Sequence, residues 1–333
     1  MPANPIKAPP QGVYVPAITL FDHKTDTLEP NAQAKYFKYL AQSGITGLVV
    51  LGTNAETFLL TKEERVSLIC LARRSVPANF PIIAGVSGHS TAQVKAFIAD
   101  AASAGADYAL LLPCAYFGKQ TTPSVVKSFF ADVARTSPLP IIIYNFPAVC
   151  NGLDLDSELI TSIAQASPKI VGVKLTCGSV AKITRLSATF SPERFAVFGG
   201  QVDFLYGGLA AGSSGCIGAF GNVYPHVLAR IYELWQGGDF EGALSLQQKA
   251  ALAESPTKAG IASTKLSAAL FSCKRAGIRD ATALALPRAP YDAPSSEARS
   301  RILEVMADVE VIEAELWRGR QGEDQGIRIT ARL

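Results

Sequence analysis

Lys174 closes the apolar run Ile170-Val171-Gly172-Val173-Lys174, and Tyr144 stands thirty positions earlier at the end of Ile141-Ile142-Ile143-Tyr144. Desolvation favours the neutral form of an amine, and a neutral amine attacks a ketone to form a Schiff base. A phenol ends a neighbouring strand, and if the strands lie in register the two groups emerge side by side at the carboxyl edge of the sheet. Two further segments carry chemistry. In Gly52-Thr53-Asn54-Ala55-Glu56, the backbone N–H groups and the Thr53 hydroxyl suit a carboxylate, and Pro113-Cys114-Ala115-Tyr116 offers a second phenol. Plainer readings stand beside these. Lys174 serves equally as a rim lysine with a solvated head, Tyr144 as a core tyrosine and Tyr116 as a loop aromatic at a subunit contact, and Thr53 or Asn54 as a helix cap.

These groups need a scaffold that brings strand ends together. Apolar, β-branched runs bounded by Gly, Pro and Ser predict strands near 13–19, 47–51, 81–85, 108–112, 141–145, 170–174, 195–199 and 215–217. Between them lie amphipathic stretches with helix-start signals: Thr61-Lys62-Glu63-Glu64 and Ser90-Thr91-Ala92-Gln93 of capping-box form, and Thr122-Pro123 with proline at the first helical position. This alternation predicts an α/β protein, a (β/α)8 TIM barrel over residues 12–235, with its site at the carboxyl ends of the strands. A helical appendage is expected over 236–317, from helices near 240–253, 261–276 and 296–317. The ends, 1–11 and 318–333, read as loosely ordered.

Composition narrows the function. The 333 residues are 48% hydrophobic and 18% charged, with a formal net charge of +3 from 31 basic and 28 acidic side chains spread along the chain. That excludes a disordered chain and a basic nucleic-acid stripe. No apolar stretch reaches membrane-span length, so no membrane partner is expected. The six cysteines form no C-x-x-C pair, and His23, His89 and His226 stand apart, which disfavours a metal site. Gly199-Gly200 and Gly212-Ser213-Ser214-Gly215 lack a phosphate-loop pattern and read as close backbone packing. The cytoplasm is the expected compartment, with a peroxisomal address as the alternative from Ala331-Arg332-Leu333.

Gly52-Thr53-Asn54-Ala55-Glu56, Tyr144-Asn145-Phe146-Pro147, Val171-Gly172-Val173-Lys174 and Gly215-Cys216-Ile217 followed by Asn222-Val223 together resemble the dihydrodipicolinate synthase and N-acetylneuraminate lyase family. The resemblance runs from about Gly12 to the last helix. It implies a class I aldolase or lyase, a homotetramer, acting on pyruvate or another small 2-oxo acid with no metal or cofactor. Lys174 takes the place of the Schiff-base lysine, Tyr144 that of the proton-shuttling tyrosine, and Thr53 that of a relaying hydroxyl. Tyr116 matches the tyrosine that many members lend across a dimer interface. Gly52, Thr53 and Asn54 fall where the family holds the 2-oxo carboxylate, and Gly200 and Ile217 where backbone groups line the lysine pocket.

The departures matter for the substrate. Where dihydrodipicolinate synthases carry an arginine, this chain has Ala148-Val149-Cys150-Asn151-Gly152, without a cation, so a bidentate carboxylate clamp is missing. The 145–149 and 151–155 stretches look most like sugar-acid aldolases. The expected activity is therefore cleavage of a 2-keto-3-deoxy sugar acid, foremost L-threo-3-deoxy-hexulosonate of galacturonate breakdown, to pyruvate and glyceraldehyde. The first alternative is 4-hydroxy-2-oxoglutarate aldolase, which yields pyruvate and glyoxylate. A dihydrodipicolinate synthase-like condensation, an imine-dependent dehydratase and a noncatalytic 2-oxo acid binder follow.

Overall fold

A computed structural model describes residues 6–324, the side chains of 322–324 excepted. Ala331-Arg332-Leu333 lies outside the described residues. Among these residues, eight parallel strands close a barrel: β1 (Gly12–Pro16), β2 (Gly47–Val50), β3 (Ile82–Gly85), β4 (Tyr108–Leu111), β5 (Ile141–Asn145), β6 (Ile170–Leu175), β7 (Ala196–Gly199) and β8 (Gly215–Ile217). Each strand pairs with its sequence neighbours, and β8 pairs back onto β1 through Gly12 opposite Gly215. The expected TIM barrel is present.

Strand alternation builds two cores. Tyr14, Val49, Ile83, Leu110, Ile142, Phe198 and Ile217 form one buried cluster. Their neighbours Val13, Leu48, Ile82, Ala109, Ile141 and Val197 belong to the other, which extends over the helices. Successive side chains on a strand point to opposite faces, so the first cluster fills the barrel and the second seals it against its helical coat.

The coat begins with α1 (Pro30–Ala41), α2 (Lys62–Ser75), α3 (Thr91–Ser103), α4 (Pro123–Thr136), α5 (Ser157–Ala166), α6 (Val180–Thr189), α7 (Leu205–Ala210) and α8 (Pro225–Gln236). Thr61 and Glu64 make the reciprocal capping box of α2, and Thr122 caps α4 ahead of Pro123. Ser90 caps α3, but Gln93 turns back to the backbone of His89 rather than closing a box.

The C-terminal segment contributes α9 (Phe240–Glu254), α10 (Ile261–Leu270), α11 (Ser272–Arg275), α12 (Ala281–Leu284), α13 (Ser296–Val305) and α14 (Ala307–Asp324). The helix expected over 296–317 is two helices separated by buried Met306, whose carbonyl accepts from the Tyr224 hydroxyl. It also runs further than expected: residues 318–324 are helical, not loosely ordered. The reason is anchorage on α8. The fully buried Glu313 carboxylate accepts from the backbone N–H of His226 and Val227 and pairs with His226 Nδ1 at 2.8 Å, while Arg320 pairs with Glu233. A carboxylate at those N–H groups caps the start of α8 from another helix.

The N-terminal end is corrected likewise over its described part. Pro9 is buried, Ala8 N–H donates to Glu193 O at 3.3 Å, and the Tyr14 hydroxyl donates to Pro10 O at 2.8 Å. β1 ends at Pro16, short of the strand expected to reach Thr19, and a short ribbon of Phe21–Asp22 with Thr27–Leu28 follows.

Candidate active site

Tyr144 stands opposite Lys174 in the pairing of β5 with β6. That Lys174 points into the barrel depends on an irregularity. The register slips by one residue between Ile141 and Ile142, which pair with Ile170 and Gly172. Val171 accordingly belongs to the barrel interior while Val173, of the same parity, belongs to the outer core. Extra residues of this kind re-aim the side chains that follow. Without the slip, Lys174 shares the phase of Ile170 and faces the helices.

The result is a buried chain of polar atoms. Lys174 and Tyr144 are each 3% exposed, and Lys174 Nζ donates to the Tyr144 hydroxyl at 3.2 Å while lying 4.3 Å from the centre of its ring. The same hydroxyl is 3.3 Å from Thr53 Oγ1. Phe146 stacks on the Tyr144 ring at 5.8 Å. Burial pushes the neighbouring Cys216 thiol up to about 12, with Lys174 opposing, so this sulfur stays protonated near neutrality.

Thr53 starts a single 3-10 turn, Thr53–Ala55, directly after β2, with Asn54 half-buried beside it. Gly52 has an extended backbone open to any residue, and a Cβ there meets only ordinary contacts at 3.6 Å to Pro16 and Val49. The fold does not demand a glycine here, which leaves room for a ligand as its purpose. Gly200 is different. A Cβ on it overlaps the backbone and hydroxyl of Thr176, so glycine is required by close packing beneath the site. Ile217 is fully buried inside the barrel in the same cluster as Tyr144.

Tyr116 is not brought to the pair. It is 69% exposed on the rim, edge-on to His89 at 5.2 Å and to Phe117 at 5.2 Å. Sequence reasoning missed Thr176. It lies two positions after Lys174, and its Oγ1 is buried with no hydrogen-bond partner among the described residues. The two-residue period of a strand was the available signal.

Two cavities lie near the strand ends, and although neither is lined by Lys174 or Tyr144, the larger meets the polar chain at Thr53. The larger, about 490 Å³, runs from Thr53 past Phe58 and Val149 to Gly260, Pro287 and Tyr291. The smaller, about 140 Å³, is bounded by Ser87, His89, Leu112, Tyr116 and Cys150. The 148–152 segment supplies Cys150 to it, where burial lifts the thiol to about 11, and Asn151 ties this loop to the carbonyls of Ala115 and Tyr116 at 2.6 and 3.2 Å.

A buried amine touching a phenol at the strand ends of a (β/α)8 barrel has the chemistry to hold a carbonyl compound as an imine. Residues 9–306 match the dihydrodipicolinate synthetase family. The chain belongs to that family and is, with it, a lyase. A Coccidioides immitis protein provisionally named a mitochondrial 4-hydroxy-2-oxoglutarate aldolase is 60% identical over 310 residues, covering 93% of this chain and 99% of that one. An L-threo-3-deoxy-hexylosonate aldolase from Aspergillus niger is 33% identical over 344 residues, covering 95% and 99%. The crystal structure of a dihydrodipicolinate synthase family protein from Coccidioides immitis superposes with a TM-score of 0.87 at 57% identity, covering 92% and 98%.

Proposed function

We propose that the protein is a Schiff-base aldolase that cleaves 4-hydroxy-2-oxoglutarate to pyruvate and glyoxylate. The observation that carries the chemistry is the buried contact between Lys174 Nζ and the Tyr144 hydroxyl, itself linked to Thr53. What carries the substrate is the near full-length relative at 60% identity, against 33% for the sugar-acid aldolase. This reverses the order expected from the sequence, which put L-threo-3-deoxy-hexulosonate first; that acid remains the second reading because its aldolase is also a full-length relative.

In the proposed scheme the Lys174 amine attacks the C2 ketone, and the Tyr144 phenol gives its proton to the departing hydroxyl, so that water leaves, a protonated imine forms and Tyr144 becomes a phenolate. Tyr144, as phenolate, takes the C4 hydroxyl proton while the C3–C4 bond breaks. The bonding pair passes into the imine, giving an enamine, and glyoxylate leaves as the aldehyde. Protonation at C3 and addition of water then release pyruvate and restore the amine. Thr53 relays the proton at Tyr144, and Gly52, Thr53 and Asn54 receive the C1 carboxylate. Gly200 and Ile217 line the lysine pocket. Tyr116 is assigned to the site of a second copy, consistent with its exposed place on the rim.

The test is a substrate panel. 4-Hydroxy-2-oxoglutarate, L-threo-3-deoxy-hexulosonate and a dehydratable 2-keto-3-deoxy acid are compared by kcat/KM, with aldehyde and pyruvate both quantified. Preference for the sugar acid installs the second reading, and a 2-oxo acid product without aldehyde replaces cleavage by dehydration. The compartment is proposed as mitochondrial, as in the name of the first relative, in place of the cytoplasmic expectation. Fractionation of the untagged protein into cytosol or peroxisomes overturns that.

A further inference from the structure

The turn that carries Thr53 is flanked on both sides by residues in a backbone conformation that side chains avoid. Leu51 before it and Glu56 after it both have left-handed backbones, with φ of 63° and 56°. Non-glycine residues persist there only when surrounding contacts over-determine them. On one side the Thr19 hydroxyl donates to Ala55 O at 2.8 Å. On the other side the Glu56 carboxylate is only 6% exposed, and it is gripped from outside the barrel. Its Oε1 pairs with Lys265 Nζ of α10, a side chain with no exposed surface, and its Oε2 accepts from the backbone N–H of Arg288 at 2.8 Å.

The grip is itself anchored. The Arg288 guanidinium donates to Asp26 at 2.9 Å, to Glu64 at 2.7 Å and to Leu59 O at 3.0 Å. Lys265 Nζ and the Arg288 guanidinium lie 4.7 and 5.0 Å from the centre of the Phe21 ring. Such buried charges are a poor source of stability, because desolvation offsets their attraction, whereas they fix geometry when every partner is satisfied.

We infer that Glu56, Lys265 and Arg288 form a positioning clamp through which the C-terminal segment holds Thr53 at the Tyr144 hydroxyl and thereby sets the rate of proton relay. Of the clamp residues only Glu56 lines the larger cavity, beside Thr53, and the clamp includes none of the residues assigned to the reaction. It acts at a distance of three residues along the chain, from Glu56 to Thr53, and the 3-10 turn transmits it through the Glu56 N–H to Thr53 O hydrogen bond at 3.0 Å. The inference rests on the proposed relay role of Thr53.

A double-mutant cycle tests it with the full-length protein. Single removal of Lys265 strands a buried carboxylate, so the clamp is loosened in two other ways: Glu56→Asp, which keeps the charge and shortens its reach, and Glu56→Gln with Lys265→Met, which removes both charges. Each is measured for kcat and KM alone and in a Thr53→Val background, beside melting curves and borohydride trapping of the pyruvate imine. The expected result is a loss of kcat of about tenfold in the wild-type background and less than about threefold where Thr53 is already gone, since neighbours that act through one another are non-additive. Trapping at Lys174 stays intact. Equal losses in both backgrounds overturn the inference in favour of a general structural role, as does wild-type kcat in both clamp variants. If Thr53→Val itself keeps wild-type kcat, the relay role of Thr53 fails first and the clamp falls with it.

Discussion

Replacing Tyr144 by Phe removes one oxygen and severs two contacts, to Lys174 Nζ at 3.2 Å and to Thr53 Oγ1 at 3.3 Å, while leaving the ring on its Phe146 stack. A buried hydrogen bond contributes about 0.5–1.5 kcal/mol net, so the variant loses roughly 1–3 kcal/mol of stability and stays folded. The expected catalytic loss is larger. Removing a positioned acid–base group costs about 100 to 10,000-fold in kcat. This corresponds to about 3–5 kcal/mol of barrier. The two effects separate in one experiment: initial rates of pyruvate release from 4-hydroxy-2-oxoglutarate, with melting curves on the same samples. Imine formation itself, read by borohydride trapping, is expected to slow but to reach completion on Lys174. A variant that melts as calculated yet keeps kcat within tenfold of wild type refutes the assignment of the proton shuttle to this phenol.

Three further outcomes follow from named atoms. Thr176→Val deletes a buried hydroxyl without a partner among the described residues, so urea melts should show it neutral or stabilised by up to about 1–2 kcal/mol, while kcat/KM for the hydroxylated substrate falls; a destabilised variant with full activity contradicts both halves. In Gly200→Ala the added methyl meets the Thr176 backbone, and a loss of roughly 1–3 kcal/mol from overpacking is expected, together with raised KM for the 2-oxo acid. Burial works to raise the Asp154 carboxyl, but hydrogen bonds from Lys182 and Asn145 prevail and hold it below its ordinary value of 3.8. Its contribution is therefore complete above pH 3.8 and is lost as pH falls through the depressed folded value. Asp154→Asn should melt lower than wild type at neutral pH, and the gap should close in acid; a gap constant with pH counts against the pair.

The barrel was legible because its strands are buried on both faces, so Ile141-Ile142-Ile143 and Ile170-Val171 stand out as unbroken apolar runs. Lys174 and Tyr144 were legible because each ends such a run. The inward aim of Lys174 was not: it depends on the one-residue slip opposite Ile142, and a bulge leaves no periodic trace in six residues of strand. The clamp on Glu56 was invisible for another reason, since Lys265 is 209 positions away and Arg288 is 232, and only tertiary packing brings them together. Residues 318–324 look like a polar end, but Arg320 and Glu313 bind α8 and extend the helix. The substrate was not legible, because a missing arginine tells what the pocket lacks, and the 148–152 loop does not say what receives the far end of the substrate instead.

One trapping experiment bears most directly on the central claim. The protein is incubated with pyruvate, reduced with borohydride, digested and mapped by mass spectrometry. A single peptide carrying Lys174 with a carboxyethyl group on its amine, absent from the Lys174→Ala variant, is the expected result. No adduct on a protein that binds pyruvate, or an adduct on Lys182 or Lys265 with Lys174 unmodified, contradicts an imine at the barrel mouth.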